Sequence, residues 1–364
     1  MNTVTLTKSN YFLLFLLLLA SACTSTPERQ AGPVFYPALP NPPRIQHLHS
    51  ISSLKDIGGG SAFAEFVMGT DLNEALVKKP YGVAVYKGKI YVTDTRGPGY
   101  VVIDLVKKEY RLITGGGAGR IKKPINIMID QDGLRYITDT GRNQVLVFDT
   151  NDRFLRAYGV EGQFKPADIE IIGKRMYVSD LKHHMVHVLD KKTGKTLFKM
   201  ATPASKNKKA IVQFPTNMAV YQDKLFISDT GNFKIVKFTL DGKFVQSLGT
   251  VGSSVGKFAR PKGIAVDREG RLYVVDSAFE NIQVFNKQGK LLMFFGGPGG
   301  APEHINLPTG VVIDYDNVQY FQKYAAPGFK LEYIIIVASQ FGANKINVFG
   351  YGKMDGMDYT TAKK

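Results

Sequence analysis

The stretch Pro261-Lys262-Gly263-Ile264-Ala265-Val266-Asp267 is followed by the turn Arg268-Glu269-Gly270-Arg271 and then by Leu272-Tyr273-Val274-Val275-Asp276. Two short apolar runs, rich in β-branched and aromatic residues and separated by a glycine-containing turn, predict a β-hairpin. Two further apolar runs, at 282–285 and 290–295, follow with turn residues between them. Residues 261–296 therefore predict four consecutive antiparallel strands.

The same unit recurs along the chain, with an opening proline and a closing aspartate in each copy. The opening prolines lie 42–49 residues apart, and the units are opened by Pro80, Pro124, Pro166, Pro215, Pro261 and Pro308 and closed by Asp94, Asp139, Asp180, Asp229 and Asp276, with Ala338 in the sixth position. A period of 40–50 residues with four strands per copy is typical of a β-propeller. We predict an all-β fold, a six-bladed β-propeller.

These copies resemble the NHL repeat, whose pattern is close to Pro-x-Gly-Ile-Ala-Val-Asp, then Tyr-Val-x-Asp, then Asn-x-Arg-Ile-x-Val-Phe. The resemblance covers residues 79–350. It implies the propeller fold. It implies no single activity, because the family includes lyases, lactonases and binding scaffolds.

The N-terminus has the pattern of an export signal. An apolar run at 11–20 is shorter than the ~20 residues that cross a bilayer, and we interpret residues 1–22 as a signal peptide. Cys23, the sole cysteine, follows Ser21-Ala22, which resembles the lipidation site of bacterial lipoproteins. The resemblance implies an acyl anchor on Cys23, and Thr24 after it implies the outer membrane. The alternative is an ordinary signal peptide with a chance cysteine.

The domain boundaries follow from composition and from the repeats. Residues 23–43 are rich in proline and small polar residues and predict a lipid-anchored tether, 44–352 form the propeller, and 353–364 form a polar tail. The sixth copy supplies three strands. The alternating residues 44–51 are expected to supply its fourth strand and to close the ring, which removes exposed strand edges.

The charge predicts an acidic partner. The chain has 47 Lys and Arg against 31 Asp and Glu, a net charge of +16. An exported protein of this charge is expected to meet lipid headgroups, an anionic polysaccharide or an acidic envelope protein, and not nucleic acid. No cysteine follows Cys23, so the mature chain has no internal disulfide or zinc–thiolate site.

One set of candidate site residues lies two positions after the opening prolines. The six residues there are Gly82, Asn126, Asp168, Asn217, Gly263 and Gly310. Asn126, Asp168 and Asn217 are polar where the NHL pattern prefers glycine. We expect this trio to lie together near the axis and to bind a ligand or a metal, with calcium as the one cofactor considered, since calcium prefers oxygen ligands. The alternative for the ring of aspartates is that each one caps its own loop.

Three further stretches are candidates for ligand or partner contacts. His183 and His184 fall in a loop on the same face and are expected to line a pocket, whereas His187 is assigned to a strand. Lys206, Lys208 and Lys209 form a basic connection that suits an anionic partner. The sixth copy contains an insert that we interpret as a projecting hairpin, and its aromatic residues Tyr320, Phe321, Tyr324 and Phe329 suit a protein or carbohydrate contact or, alternatively, pack on the blade.

The function predicted from the sequence is a monomeric, lipid-anchored binding scaffold of the cell envelope without catalysis. It would recognise envelope proteins or an anionic polymer. One alternative is a metal-dependent lyase or lactonase that uses Asn126, Asp168 and Asn217. A second alternative is a periplasmic sensor of a small ligand.

Overall fold

The computed structural model describes residues 32–60, 71–160, 162–201 and 211–360 and shows six antiparallel sheets. Five sheets have four strands each. Blade one contains Pro80–Tyr86, Lys89–Asp94, Gly99–Asp104 and Glu109–Ile113; blade two Pro124–Ile129, Arg135–Asp139, Gln144–Phe148 and Phe154–Tyr158; blade three Pro166–Ile172, Arg175–Asp180, Met185–Asp190 and Thr196–Met200; blade four Pro215–Tyr221, Lys224–Asp229, Lys234–Thr239 and Phe244–Leu248; and blade five Pro261–Val266, Leu272–Asp276, Asn281–Phe285 and Leu291–Gly296. The predicted all-β, six-bladed propeller is confirmed.

Blade six contains strands from both ends of the described chain. Asn306–Asp314, Phe329–Phe341 and Ile346–Met354 are followed in the sheet by Ile45–Ile51 and then by Phe35–Tyr36. Ile45–Ile51 pairs antiparallel with Ile346–Met354, with a register shift between His47 and His49. Pro308 pairs with Ser339, so the residue in the sixth closing position is Ser339 and the assignment of Ala338 was wrong.

Two predicted boundaries differ from the structure. The propeller unit begins at Val34, because Phe35 is buried with its ring 5.5 Å from the ring of Phe329. Residues 34–43, assigned to the tether, therefore belong to the last blade. Residues 353–360 also pack on it, since the Tyr359 hydroxyl donates to the carbonyl of Pro43 at 2.9 Å. Cys23, the signal peptide and the rest of the tether lie outside the described residues.

The core is divided among the interfaces between blades. Each of six buried apolar clusters is formed by two neighbouring sheets. The first strands of all six blades are neighbours around the axis, and those of blades six and one complete the ring. This packing suits the repeat, because each second strand carries large residues on both faces and both faces are buried. Of the described helices, which are single turns such as Val318–Phe321, none is long and apolar enough to cross a bilayer.

Polar bonds also join each blade to the next one, close to the axis. In five of the six junctions a Ser or Thr hydroxyl donates to a carbonyl of the neighbouring first strand: Thr93 to Ile125, Thr138 to Ala167, Thr230 to Pro261, Ser277 to Pro308 and Thr309 to Tyr81. Between blades three and four, the Asp168 carboxylate accepts the backbone N–H of Met218 at 2.6 Å. These bonds fix the angle between neighbouring sheets where the sheets approach most closely.

The closing aspartates cap the start of the first strand in blades one to five, which confirms the capping interpretation. Asp94 Oδ2 accepts the N–H of Lys78 at 2.7 Å, and Oδ1 accepts the N–H groups of Lys79 at 3.0 Å and Arg96 at 2.9 Å. The same pattern holds for Asp139, Asp229 and Asp276. Each carboxylate therefore ties the residues before the proline to the turn after the second strand.

We expect Asp276→Ala to destabilise the fold strongly, because Asp276 is fully buried and its loss leaves the N–H groups of Ala259, Arg260 and Ala278 without an acceptor. An unpaired buried group costs ~1–3 kcal/mol, so the free energy of unfolding should fall by about 3–5 kcal/mol in urea titrations. Asp132→Ala, at a side chain that is 77% exposed, is the control and should change it by less than about 0.5 kcal/mol. Equal effects of the two variants would contradict the capping role.

Candidate functional site

A partial belt of basic side chains, contributed by blades one, two, three and five, lies at one mouth of the central channel. This mouth is on the face where every first strand begins and every second strand ends. We call the belt the basic rim; its members are Lys78, Lys79, Lys122, Lys123, Lys165 and Arg260, which directly precede the opening prolines, and Lys262, which follows one of them. Within the described part of the chain none of the seven forms an ion pair. Their charges are therefore available to an external anion.

The arrangement of the basic rim follows from the caps. The closing aspartates bind the backbone N–H groups of the residues before the prolines, so those backbones are held down while their side chains extend toward solvent. The aspartates themselves are buried and engaged by these donors. Their charge still attracts the cations above them, but the seven cations of the rim outnumber the five aspartates.

Lys262 shows how concentrated the positive charge is at this mouth. Its ammonium nitrogen lies 5.0 Å from the centre of the Tyr81 ring. Burial, followed by repulsion from Arg260 and Lys79, lowers the pKa of Lys262 to about 8. A bound anion would raise this pKa again, because it favours the charged ammonium.

The predicted trio lies inside the channel. It lines a cavity of about 290 Å³ whose wall is otherwise formed mainly by apolar residues of the six first strands. The Asn126 amide donates to Asp168 Oδ1 at 2.6 Å, and the Ile169 N–H donates to the same oxygen at 2.8 Å. Asn217 lies beside Met218, the residue bonded to Asp168 Oδ2. The structure therefore brings the three residues to one site, as expected, across blades two, three and four.

The trio fits calcium poorly. Both oxygens of Asp168 already accept N–H groups, and Asn126 Oδ1 accepts the Ile127 N–H at 3.0 Å. Asn217 Oδ1 is buried without a hydrogen-bond partner among the described residues and is the one free side-chain oxygen of the trio. Calcium takes 6–8 oxygen ligands, so it would have to displace several of these bonds. Calcium binding here stays a prediction.

A second acid, missed in the sequence, lines the same cavity. Glu170 lies two residues after Asp168, where the other blades carry Ala84, Met128, Ala219, Ala265 and Val312. Burial raises the pKa of Asp168 to about 7, although the N–H donors of Met218, Ile169 and Asn126 oppose the shift. Burial, with the nearby Asp168 adding to it, raises the pKa of Glu170 well above its usual value. The channel therefore contains two carboxyl groups that resist ionisation.

The histidines group differently from the prediction. His183 Nδ1 lies 2.6 Å from Asp180 Oδ2, and His187 Nε2 lies 3.0 Å from the same oxygen. His184 is not part of this group; it has a positive φ of 56° in the turn and its ring faces that of Phe214. The pairing of His183 with His184 in one pocket was therefore wrong, and His187 is the partner that the sequence analysis missed.

The strand pairing in blade three indicates that Asp180 and His187 can meet. Asp180 pairs with Met185 and Val178 pairs with His187, so Asp180 and His187 lie on one face of the sheet. Burial raises the pKa of Asp180, but the hydrogen bonds from His187, the Lys165 N–H and His183 outweigh it and hold the pKa at about 2. The ligand atoms of Asp180, His183 and His187 all lie within 4.8 Å of one another.

The insert in blade six is not a projecting hairpin. It forms the helical turns Val318–Phe321 and Gln322–Tyr324 before the strand Phe329–Phe341. Phe321 and Phe329 are buried, and Tyr324 stacks on His49 with 4.5 Å between ring centres. Tyr320 packs against the buried apolar cluster that contains Phe321. The aromatics pack on the blade and on the N-terminal strand because apolar surface is available there. Lys206, Lys208 and Lys209 lie outside the described residues.

Comparison with known proteins supports the architecture. A protein family described as a 6-bladed beta-propeller matches residues 207–286. A chloroplast protein of Arabidopsis thaliana, Suppressor of Quenching 1, is 23% identical in an alignment of 272 positions that covers 60% of this chain. The chain spans about a quarter of that relative, 26% of its length.

Several solved structures share the fold at low identity. A gluconolactonase from Xanthomonas campestris is 14% identical, with a TM-score of 0.56 over 88% of this chain and 97% of its own. An auxiliary nutrient binding protein from Bacteroides thetaiotaomicron is 15% identical, with a TM-score of 0.57 over 77% of this chain and 71% of its own. Virginiamycin B lyase from Staphylococcus aureus is 17% identical, with a TM-score of 0.51 over 74% of this chain and 80% of its own. At these identities the likeness shows the propeller fold alone.

Asp168 should make stability depend on pH near neutrality. Its pKa is about 7 in the fold and near ~3.9 when unfolded, so between these values the native state holds a proton that the unfolded state releases. The free energy of unfolding should therefore fall by up to ~1.4 kcal/mol per pH unit as pH rises from about 4 to about 7. Urea titrations of the wild type and Asp168→Asn measure this term. If the free energy of unfolding has the same slope against pH in both proteins, Asp168 does not contribute to the pH dependence.

Proposed function

We propose that this protein is a lipid-anchored binding scaffold of the bacterial cell envelope that holds an anionic polymer on its basic rim. The observation that carries the proposal is the group of seven cationic side chains at the channel mouth, none of which forms an ion pair with a residue that the structure describes. The excess of positive charge in the whole chain agrees with it. An acid-rich polysaccharide is the partner whose chemistry fits best, because its repeated carboxylates can meet several lysines at once.

Preorganisation favours binding at this rim. The caps fix the backbone beneath six of the cations before any partner arrives, so fewer degrees of freedom are lost on binding. Each contact between exposed charges is worth ~0.2–1 kcal/mol, so a useful affinity needs several contacts made together. The contacts should weaken steeply with salt, because the Debye length is ~10 Å at 0.1 M ionic strength.

Small-ligand binding in the channel is a second candidate. The specific observation is the buried Asn217 Oδ1 without a partner on the wall of a cavity of about 290 Å³. A ligand that donates a hydrogen bond to this oxygen would remove the cost of leaving it unpaired. The fold shared with a nutrient binding protein agrees with such a role. A metal-dependent lyase or lactonase that uses the trio has less support, since most oxygens of the trio already accept N–H groups.

The rim can be tested by charge reversal. Lys123→Glu combined with Arg260→Glu should reduce binding to a polyuronate such as alginate at least tenfold at low salt, because two attractive charges become repulsive. Lys243→Glu with Lys290→Glu makes the same change in net charge at turns on the opposite face and should retain wild-type affinity. The affinities are measured by biolayer interferometry at several salt concentrations. If both double variants bind the polymer equally more weakly than the wild type, binding at the basic rim is refuted.

The anchor can be tested separately. Cys23→Ala should move the protein from the outer-membrane fraction to the soluble fraction and abolish its labelling by a radioactive fatty acid. Cell fractionation with Ser21→Ala as the control measures this. Retention of the Cys23→Ala protein in the membrane would contradict lipid anchoring and leave the binding experiment unaffected.

A further inference from the structure

The acid–histidine cluster of blade three differs from the equivalent position in the other blades. In blades one, two, four and five the closing aspartate uses Oδ2 to accept a backbone N–H 16 or 17 residues earlier in the chain. In blade three Asp180 Oδ2 is instead in contact with two imidazoles. Asp180 still caps through Oδ1, which accepts the N–H groups of Lys165 and Lys182 at 2.8 Å.

The fold does not need an imidazole at position 187. Its equivalents, seven residues after the closing aspartate, are Val101, Leu146 and Val236, and in blade five Gln283. His187 is 2% exposed, and its Nδ1 has no hydrogen-bond partner. Burying an imidazole with a bare ring nitrogen is less favourable than burying an aliphatic side chain. Apolar packing alone therefore does not require a histidine at this position, although His187 Nε2 lies within hydrogen-bond distance of Asp180 Oδ2.

We propose that Asp180, His183 and His187 form a binding site for a divalent transition metal ion of the zinc type. The three ligand atoms lie within 4.8 Å of one another and already converge on Asp180 Oδ2. Ligands of a tetrahedral zinc ion are bonded at about 2.0–2.2 Å, so small rotations of the side chains accommodate the ion. Two imidazoles and one carboxylate select zinc, cobalt or nickel over calcium and magnesium, which prefer oxygen.

The site has an open coordination position. Asp180 and His187 are buried, whereas the His183 side chain is 36% exposed and faces a cavity of about 250 Å³ that is also lined by Gln163, Met185 and Lys199. Three protein ligands with one position left to solvent are the pattern of zinc sites that bind an exchangeable water or anion. Lys199 on the cavity wall suits an anionic fourth ligand. The site is separate from the channel trio.

The chain provides a matched pair of variants for the test. His183 and His184 are adjacent, but only His183 is in the cluster. We expect the full chain, purified without a histidine tag, to bind one Zn²⁺ or Co²⁺, with visible absorption bands typical of Co²⁺ bound by nitrogen and oxygen. His183→Ala should weaken the affinity at least 100-fold in isothermal titration calorimetry. His184→Ala should leave affinity and stoichiometry unchanged.

A second variant distinguishes loss of the metal site from misfolding of the protein. His187→Leu introduces the residue that blade two has at this position, so the variant should fold with an unchanged circular dichroism spectrum and still lose the metal. The proposal is overturned if the wild type takes up no more Zn²⁺ than His183→Ala does. It is also overturned if His183→Ala and His184→Ala lower the affinity equally, because adventitious surface binding would then explain the uptake.

Discussion

A buried carboxylate at the end of five of the six second strands is the constraint on which most of this structure depends. In five blades it accepts the backbone N–H groups that would otherwise be left unpaired where the chain enters the first strand of the same blade. Hydrogen bonds to an ionised acceptor are stronger than those to a neutral one, so a single side chain fixes both the turn and the entering segment. Asp94, Asp139, Asp229 and Asp276 do this in nearly the same way.

The cap also decides what the molecule presents to its surroundings. Because the backbone before each proline is bound to the aspartate, the side chains there face solvent. In this chain most of those side chains are lysine or arginine, and the result is the basic rim. A feature that belongs to folding thus determines the position of the charges that we connect with function. The five buried aspartates offset part of this charge, and the seven cations of the rim outnumber them.

Departures from the repeat are informative for the same reason. Asp168 takes the place of a glycine and joins blades three and four through the Met218 N–H, a connection that hydroxyl groups make at the other junctions. The hydrogen bond between neighbouring blades therefore explains Asp168, one member of the trio that the sequence suggested as a ligand site. His187 lies where blades one, two and four have an aliphatic residue, and its Nε2 contacts Asp180 of its own blade and no neighbouring blade. The contact of an imidazole with the closing aspartate has no counterpart in blades one, two, four and five, where that oxygen accepts a backbone N–H.

The sequence by itself determined the blade count, the limits of most strands and the capping role of the aspartates, because these depend on a local pattern repeated six times. It also placed a strand at 44–51, and Ile45–Ile51 lies beside the last strand of blade six. Only the tertiary structure decided that Phe321 and Phe329 are buried, that His183 meets His187 and not His184, and that seven cations form one rim. Those outcomes depend on which side chains from distant segments converge, which is set by register and by the packing of neighbouring blades, and neither can be read from residues adjacent in sequence.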